Sequence, residues 1–325
     1  MYLGGRSLFC ILIYSCNILQ TSAATFDAES FFSYVDVSCR NSPGGTIKHD
    51  VNFAGKEMTM LLMSTIGQGF KFDANDSEGG RVGRAFDAWW GRHSSARSRD
   101  DPINTQGIKE HYKAIRNMPA KRYGIYCDSS AFEIVNTWPA DTPKHLNVKP
   151  GSPTNEPKVY IKDPLRRAPN EDWIAPAPDK PDGTPLKAGE DMCGAGVAAH
   201  SGKSSLWLCP IVFSRPIGKL LTTFRAGVEV TSNLNKYNTM GSIMLHEFSH
   251  LVSGTTTDEA YGAQDTLELV KNGKIKEARN NADSYSMYAL AIYLEGNEWS
   301  NDGYAEPLKA AVRPTISRIK RVVAR

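Results

Sequence analysis

Apolar residues recur at helical spacing in several separate stretches of the 325-residue chain. Val51, Phe53, Met58, Leu61, Leu62 and Ile66 mark one amphipathic helix over 51–66. A second is predicted from Arg84 to Trp90 and a third from Ile108 to Met118, with Trp89 and Trp90 read as packing residues. Met240, Ile243, Met244, Phe248, Leu251 and Val252 follow the three-and-four spacing of a buried helix face. Asn238 or Thr239 offers its N-cap and Gly254 a stop. Tyr123 to Cys127 and Leu206 to Phe213, rich in aromatic and β-branched residues, read as strands. Between them, residues 139–185 hold 11 of the 18 prolines. Such a stretch cannot be regular helix and is expected to be extended and exposed, with Val159-Tyr160-Ile161 as an edge strand. The cysteines on either side of it belong to one fold. The stretch is therefore read as an insertion in a single domain spanning 25–325.

One apolar run is of another kind. Arg6 precedes Leu8 to Leu19, and small residues come next at Thr21-Ser22-Ala23-Ala24. That is the pattern of a secretory signal peptide over 1–24, too short and too soon succeeded by polar sequence for a membrane span. The expectation is a secreted, extracellular monomer. Its loss takes away one basic residue and two of the six cysteines, changing the net charge from +3 to about +2. So balanced a charge argues against nucleic-acid binding, which calls for a dense basic stripe. Cys39, Cys127, Cys193 and Cys209 remain, an even count that suits two disulfides. Of three pairings, Cys39 with Cys127 and Cys193 with Cys209 is favoured, and the absence of CxxC spacing argues against a four-cysteine zinc site. Asn75-Asp76-Ser77 is an N-glycosylation sequon in a Gly- and Asp-rich loop. Arg313 to Arg325 carry five basic residues and no acid, and read as a solvated tail.

The chemistry concentrates at 246–262, where His-Glu-Phe-Ser-His leads into Leu-Val-Ser-Gly-Thr-Thr-Thr-Asp-Glu-Ala-Tyr-Gly. His246 and His250, four apart, share one helix face and can close on one tetrahedral zinc. Glu247 sits beside that metal but not on it, where a carboxylate can take a proton from the attacking water. His49, His93, His111, His145 and His200 show no ligand spacing. A metzincin's Gly and His are missing, since Ser253 and Thr256 occupy those positions. A non-catalytic zinc-binding protein is the alternative function, but a pure binder has no chemical need of Glu247.

The residues after the second histidine carry a resemblance. Gly254-Thr255 and Asp258-x-x-Tyr261-Gly262 resemble the signature of the aspzincins, the deuterolysin and peptidyl-Lys metalloendopeptidases, with one additional residue before Asp258. Leu208-Cys209-Pro210, Asn281-Ala282-Asp283-Ser284-Tyr285, Ala88-Trp89-Trp90-Gly91, His111-Tyr112 and Tyr126-Cys127 extend the likeness across 39–296. The resemblance implies an α+β, zincin-like domain with a mainly helical body, a small sheet and an HExxH active-site helix. It implies a zinc endopeptidase acting on protein or peptide substrates, with one Zn2+ per chain. Asp258 is then the third ligand beside His246 and His250, Glu247 the base, and Tyr261 a donor to the oxyanion. Asp283 has three readings: a helix-terminal acid, a pocket acid that receives lysine on the leaving side of the cut, or a replacement for Asp258 on the metal. The pocket role is the one the peptidyl-Lys branch implies.

Overall fold

The computed structural model describes residues 26–308, apart from 41–46, 73–76, 92–104, 120–121, 143, 168–173, 181, 203, 216–227 and 300–301. The segment read as a signal peptide, Asn75, His93 and the basic tail therefore lie outside the described residues. Its main elements are β1 (Tyr34–Val35), α1 (Ile47–Gln68), α2 (Ser77–Trp90), α3 (Thr105–Arg116), β2 (Gly124–Tyr126), β3 (Phe132–Thr137), β4 (Pro153–Ile161) and β5 (Ile174–Pro176). They continue with β6 (Ala199–Ser201), β7 (Ser205–Leu208), α4 (Met240–Val252), α5 (Gly262–Lys271) and α6 (Ala282–Tyr293). The class is α+β.

All twelve residues of α6 are buried, which makes it an interior helix. α4 packs between it and α1, and α2 and α3 close the bundle around Trp89, Trp90 and Tyr112, none of which is exposed. Tyr112 hydrogen-bonds the carbonyl of Tyr285 (2.7 Å), which fixes α3 against α6.

Beside the helices lies a four-stranded sheet of order β1-β2-β7-β6, parallel except for the β6–β7 pair. Side chains alternate between its faces as the pleat requires. Ile125, Leu206 and Leu208 enter the helical core, whereas Tyr126, Trp207 and Cys209 enter a second core on the other face. That second core is capped by the antiparallel sheet β3-β4-β5, whose Phe132, Ile134, Val159 and Ile161 point inward.

Two strand expectations need correction. Val159-Tyr160-Ile161 is not an edge: β4 is the central strand, pairing with both β3 and β5. Pro157 does not prevent this, because its carbonyl still accepts from Ala177 (3.0 Å). The strand expected to reach Phe213 ends at Leu208, and the chain turns into a 3-10 helix over Pro210–Ser214. Pro210 has no N–H to continue the ladder. Disulfides join Cys39 to Cys127 and Cys193 to Cys209. The first ties the chain after β1 to the end of β2. The second ties the end of β7 to the chain that leads into β6. No described helix is long and apolar enough to cross a membrane.

Candidate metal centre

α4 begins at Thr239, whose hydroxyl accepts from the Ser242 N–H while Ser242 Oγ accepts from the Thr239 N–H (2.8 Å), a reciprocal cap. It ends at Val252, two residues before Gly254, with Ser253 extended. Its last two turns carry His246, Glu247 and His250, whose ligand atoms all lie within 4.8 Å of one another.

Past the helix the chain doubles back. Thr257 donates to the Asn280 carbonyl and Ala282 donates to the Thr257 carbonyl (2.9 Å), a one-residue parallel bridge to the start of α6. Asn281 Oδ1 accepts from the Ala260 N–H (3.2 Å), so the loop is held on both sides of Asp258. The additional residue before Asp258 is absorbed in this loop, and the Thr256 carbonyl lies 3.0 Å from His250 Nδ1.

The geometry this produces has a narrow set of explanations. Asp258 Oδ1 is 3.1 Å from His246 Nε2 and 3.2 Å from His250 Nε2, and the two Nε2 atoms are 3.3 Å apart. The outer nitrogens are both committed. His246 Nδ1–H donates to Asp283 Oδ1 (2.7 Å) and His250 Nδ1–H donates to the Thr256 carbonyl, and neither acceptor can donate in return. Neutral imidazoles in these tautomers therefore point two Nε2 lone pairs and one carboxylate oxygen at a single spot. Such a convergence of electron pairs calls for a cation. Three donors around zinc at about 2.0–2.1 Å would be separated by about 3.3–3.4 Å, close to the spacing found here. The residues fit zinc. Without a cation, burial pushes His246 down, but Asp258 and Asp283 outweigh it and hold its pKa well above the ordinary imidazole value. Asp258 is held far below the usual carboxylate range: burial opposes this, and the two histidines prevail.

Glu247 stands farther off, 4.0 Å from His246 Nε2, and is buried. Burial raises its carboxyl above the ordinary value, partly offset by the two imidazoles. Tyr261 is 58 % exposed and lies nearly parallel to the His246 ring, with centroids 6.1 Å apart. Burial of its hydroxyl and the nearby charge of Asp258 raise the phenol above its ordinary value. Gly262, next in the chain, has φ +75°, and a Cβ there would lie 2.7 Å from Asn235 Nδ2. Only glycine serves both demands.

Asp283 borders the cleft and makes contacts that the sequence did not suggest. It lies in the first turn of α6, but its carboxylate does not cap the helix. Oδ1 accepts from His246 Nδ1 and from Ser286 Oγ (3.2 Å), and Oδ2 accepts from the Gly262 N–H. It touches the nitrogen of His246 that faces away from the convergence point, so it is not placed as a third ligand. It borders the cleft, but most of its hydrogen-bonding capacity is already used. Of the other histidines, His49 is exposed and His111 stacks on Tyr285 at 3.9 Å. His200, on β6, borders the cleft, donates to the Pro176 carbonyl (3.1 Å), and is pushed down to about 4 by burial.

Residues 219–290 match the profile of the aspzincins, described as lysine-specific metallo-endopeptidases. The match covers the segment that holds His246, His250, Asp258 and Asp283. The protein is a zinc metalloendopeptidase, and peptides or proteins are its substrates. In fold it is similar to a zinc peptidase from Grifola frondosa at 12 % identity and a TM-score of 0.40, over 77 % of this chain and 96 % of the other. No protein of curated function matches it in sequence. Local spacing located His246, Glu247 and His250 in the sequence. The Thr256 carbonyl, Asn281 and the contact of Asp283 with His246 left no such signal, because each depends on where the chain returns.

Proposed function

We propose that this protein is a secreted endopeptidase of the aspzincin type that holds one zinc through His246 Nε2, His250 Nε2 and Asp258, with Glu247 as the base. The observation that carries this is the convergence of those three donor atoms within 3.1–3.3 Å of one another while both outer imidazole nitrogens are engaged elsewhere. Zinc held there supplies a Lewis acid that activates water and polarises the scissile carbonyl. The chain supplies the remainder. Burial of Glu247 raises its proton affinity, which suits a group that must accept a proton from water and pass it to the leaving amine. The raised pKa of Tyr261 keeps its phenol protonated, so it can donate to the oxygen that gains negative charge. Asp283 and the Thr256 carbonyl are positioning groups: each holds an imidazole in the tautomer that presents Nε2.

Two disulfides, the apolar leader at 8–19 and the small residues before Thr25 support export. Residues 25–325 are read as one catalytic domain, because the proline-rich insertion shares a core with the main sheet. The lysine preference implied by the resemblance rests on Asp283, which borders the cleft. Denatured casein digested by purified protein tests the proposal. Fragmentation should stop with a chelator, return with zinc, and be nearly absent in Glu247→Gln. A zinc-loaded wild type that leaves casein intact would favour a zinc-binding protein without catalysis.

A further inference from the structure

The residue at the N-cap of α5, Tyr261, makes no side-chain bond to the helix it opens. Ser, Thr, Asp or Asn ordinarily stands at such a place, because its side-chain oxygen accepts from the first free N–H groups of the helix. Here those oxygens come from other parts of the chain. Asp283 Oδ2 accepts from the Gly262 N–H and Asn235 Oδ1 accepts from the Ala263 N–H (2.7 Å). Just before Tyr261, Asn281 Oδ1 accepts from the Ala260 N–H (3.2 Å). The backbone is thus held on both sides of Tyr261, which leaves its side chain uncommitted to the helix. A ring that is 58 % exposed is not fixed by core packing, so this backbone decides where the hydroxyl lies. Asn281 and Asp283 reach the loop from the start of α6, and Asp283 also holds His246. Asn235 comes from a different element, a 3-10 turn over Leu234–Tyr237 that leads into the cap of α4. Leu234 is fully buried and its N–H donates to the Gly303 carbonyl (2.8 Å), while the Asn235 N–H donates to Asn233 Oδ1 (2.9 Å). The turn is a fixed point, and Asn235 ties the loop to it.

Resting on the reading of Tyr261 as donor to the oxyanion, we infer that Asn235 is a positioning residue for the Tyr261 phenol, acting through the Ala263 N–H. By capping α5 from a distance it allows a tyrosine to occupy the N-cap and turn its side chain to the reaction. The hydroxyl stands at the end of a long rigid side chain, so a small turn of the backbone displaces it by more than the backbone itself moves. A displacement of about 1 Å at a reacting group can cost about 10²-fold in rate. The charged transition state uses that hydrogen bond more than the ground-state substrate does, so the loss falls on kcat and not on KM. The described hydrogen bonds of Asn235, to Asn233, Asn238 and Ala263, include no metal ligand, and the residue is exposed. Removing its side chain therefore opens no core and takes nothing from the metal centre.

The test compares Asn235→Ala, Tyr261→Phe and the double variant, all zinc-loaded, on a quenched peptide. Asn235→Ala should retain its zinc, keep KM within about twofold of wild type, and lose kcat about 10–100-fold. Its affinity for a phosphinic peptide that imitates the tetrahedral transition state should fall by a similar factor. Asn235→Asp keeps an oxygen for the Ala263 N–H and should recover kcat to within about fivefold of wild type. Tyr261→Phe should lose about 10²–10³-fold in kcat. Adding Asn235→Ala to it should cost less than about twofold more, since a positioning residue then has no hydroxyl to position. Equal losses in the two backgrounds would show that Asn235 acts independently of Tyr261 and would overturn the inference, as would Asn235→Ala at wild-type kcat. If the alanine variant does not fold, Asn235→Ser, whose oxygen stands one bond nearer the backbone, is read in the same way. Wild-type kcat in Tyr261→Phe is a different result: it refutes Tyr261 as the donor and the inference with it.

Discussion

Two imidazoles on successive helical turns can bind a cation only if both present the same nitrogen to it. Here Asp283 enforces that choice for His246 and the Thr256 carbonyl enforces it for His250. The two carboxylates near His246 should therefore differ on mutation. Asp258→Ala removes a donor that lies 3.1–3.2 Å from both Nε2 atoms, and is expected to leave the protein nearly zinc-free after dialysis. Asp283→Ala removes only the orienting contact, and should weaken zinc affinity about 10–100-fold while retaining one site, as measured by competition with a chromophoric chelator. Glu247→Gln should keep its zinc and lose activity by about 10²–10⁴-fold, read as kcat on a quenched peptide, because an amide cannot accept the proton. His246, Glu247 and His250 were legible in the sequence because helix geometry converts a spacing of four into a shared face. The role of Asp283 was not legible: it lies 37 positions after His246, beyond a loop and two helices that only packing can place.

At the scale of elements, the helices were easier to read than the strands. The apolar pattern over 51–66 became Ile47–Gln68, and the pattern around His246 became Met240–Val252, because periodicity persists over several turns. The short strands have no such redundancy. Pro210 ended β7 five residues before the apolar run did, and β4 became a central strand although prolines crowd it. Its inward face places β4, and Trp207, with Tyr126, joins that core to the main sheet. The Trp207 ring lies 5.0 Å from Phe132 and 5.1 Å from His200, which borders the cleft. Trp207→Ala should cost about 3–5 kcal/mol of unfolding free energy in a urea titration. A loss under about 1 kcal/mol would mean that the insertion does not depend on this core.

On the scale of the whole molecule, a buried ion pair links the proline-rich insertion to the edge of the main sheet. Arg166 Nε lies 2.9 Å from Asp36 Oδ2, with further contacts to Asp36 Oδ1 and Asp128, and Asp36 is fully buried. Burial pushes the Asp36 carboxyl up, but Arg166 and Ser38 outweigh it and hold it below the usual carboxylate range. A pKa depressed by folding contributes stability that is present above the unfolded value, about 3.9, and lost as pH falls through the folded one. Arg166→Ala should therefore cost about 3–5 kcal/mol near neutral pH. The gap from wild type should narrow as acid protonates Asp36 in both states, a trend that denaturant titrations from pH 7 down to pH 3 would show. The central claim concerns a single metal bound at one place, and zinc content after exhaustive dialysis tests it most directly. One equivalent in wild type and almost none in Asp258→Ala, both folded by circular dichroism, is the result expected. A full equivalent retained by Asp258→Ala would contradict the ligand set.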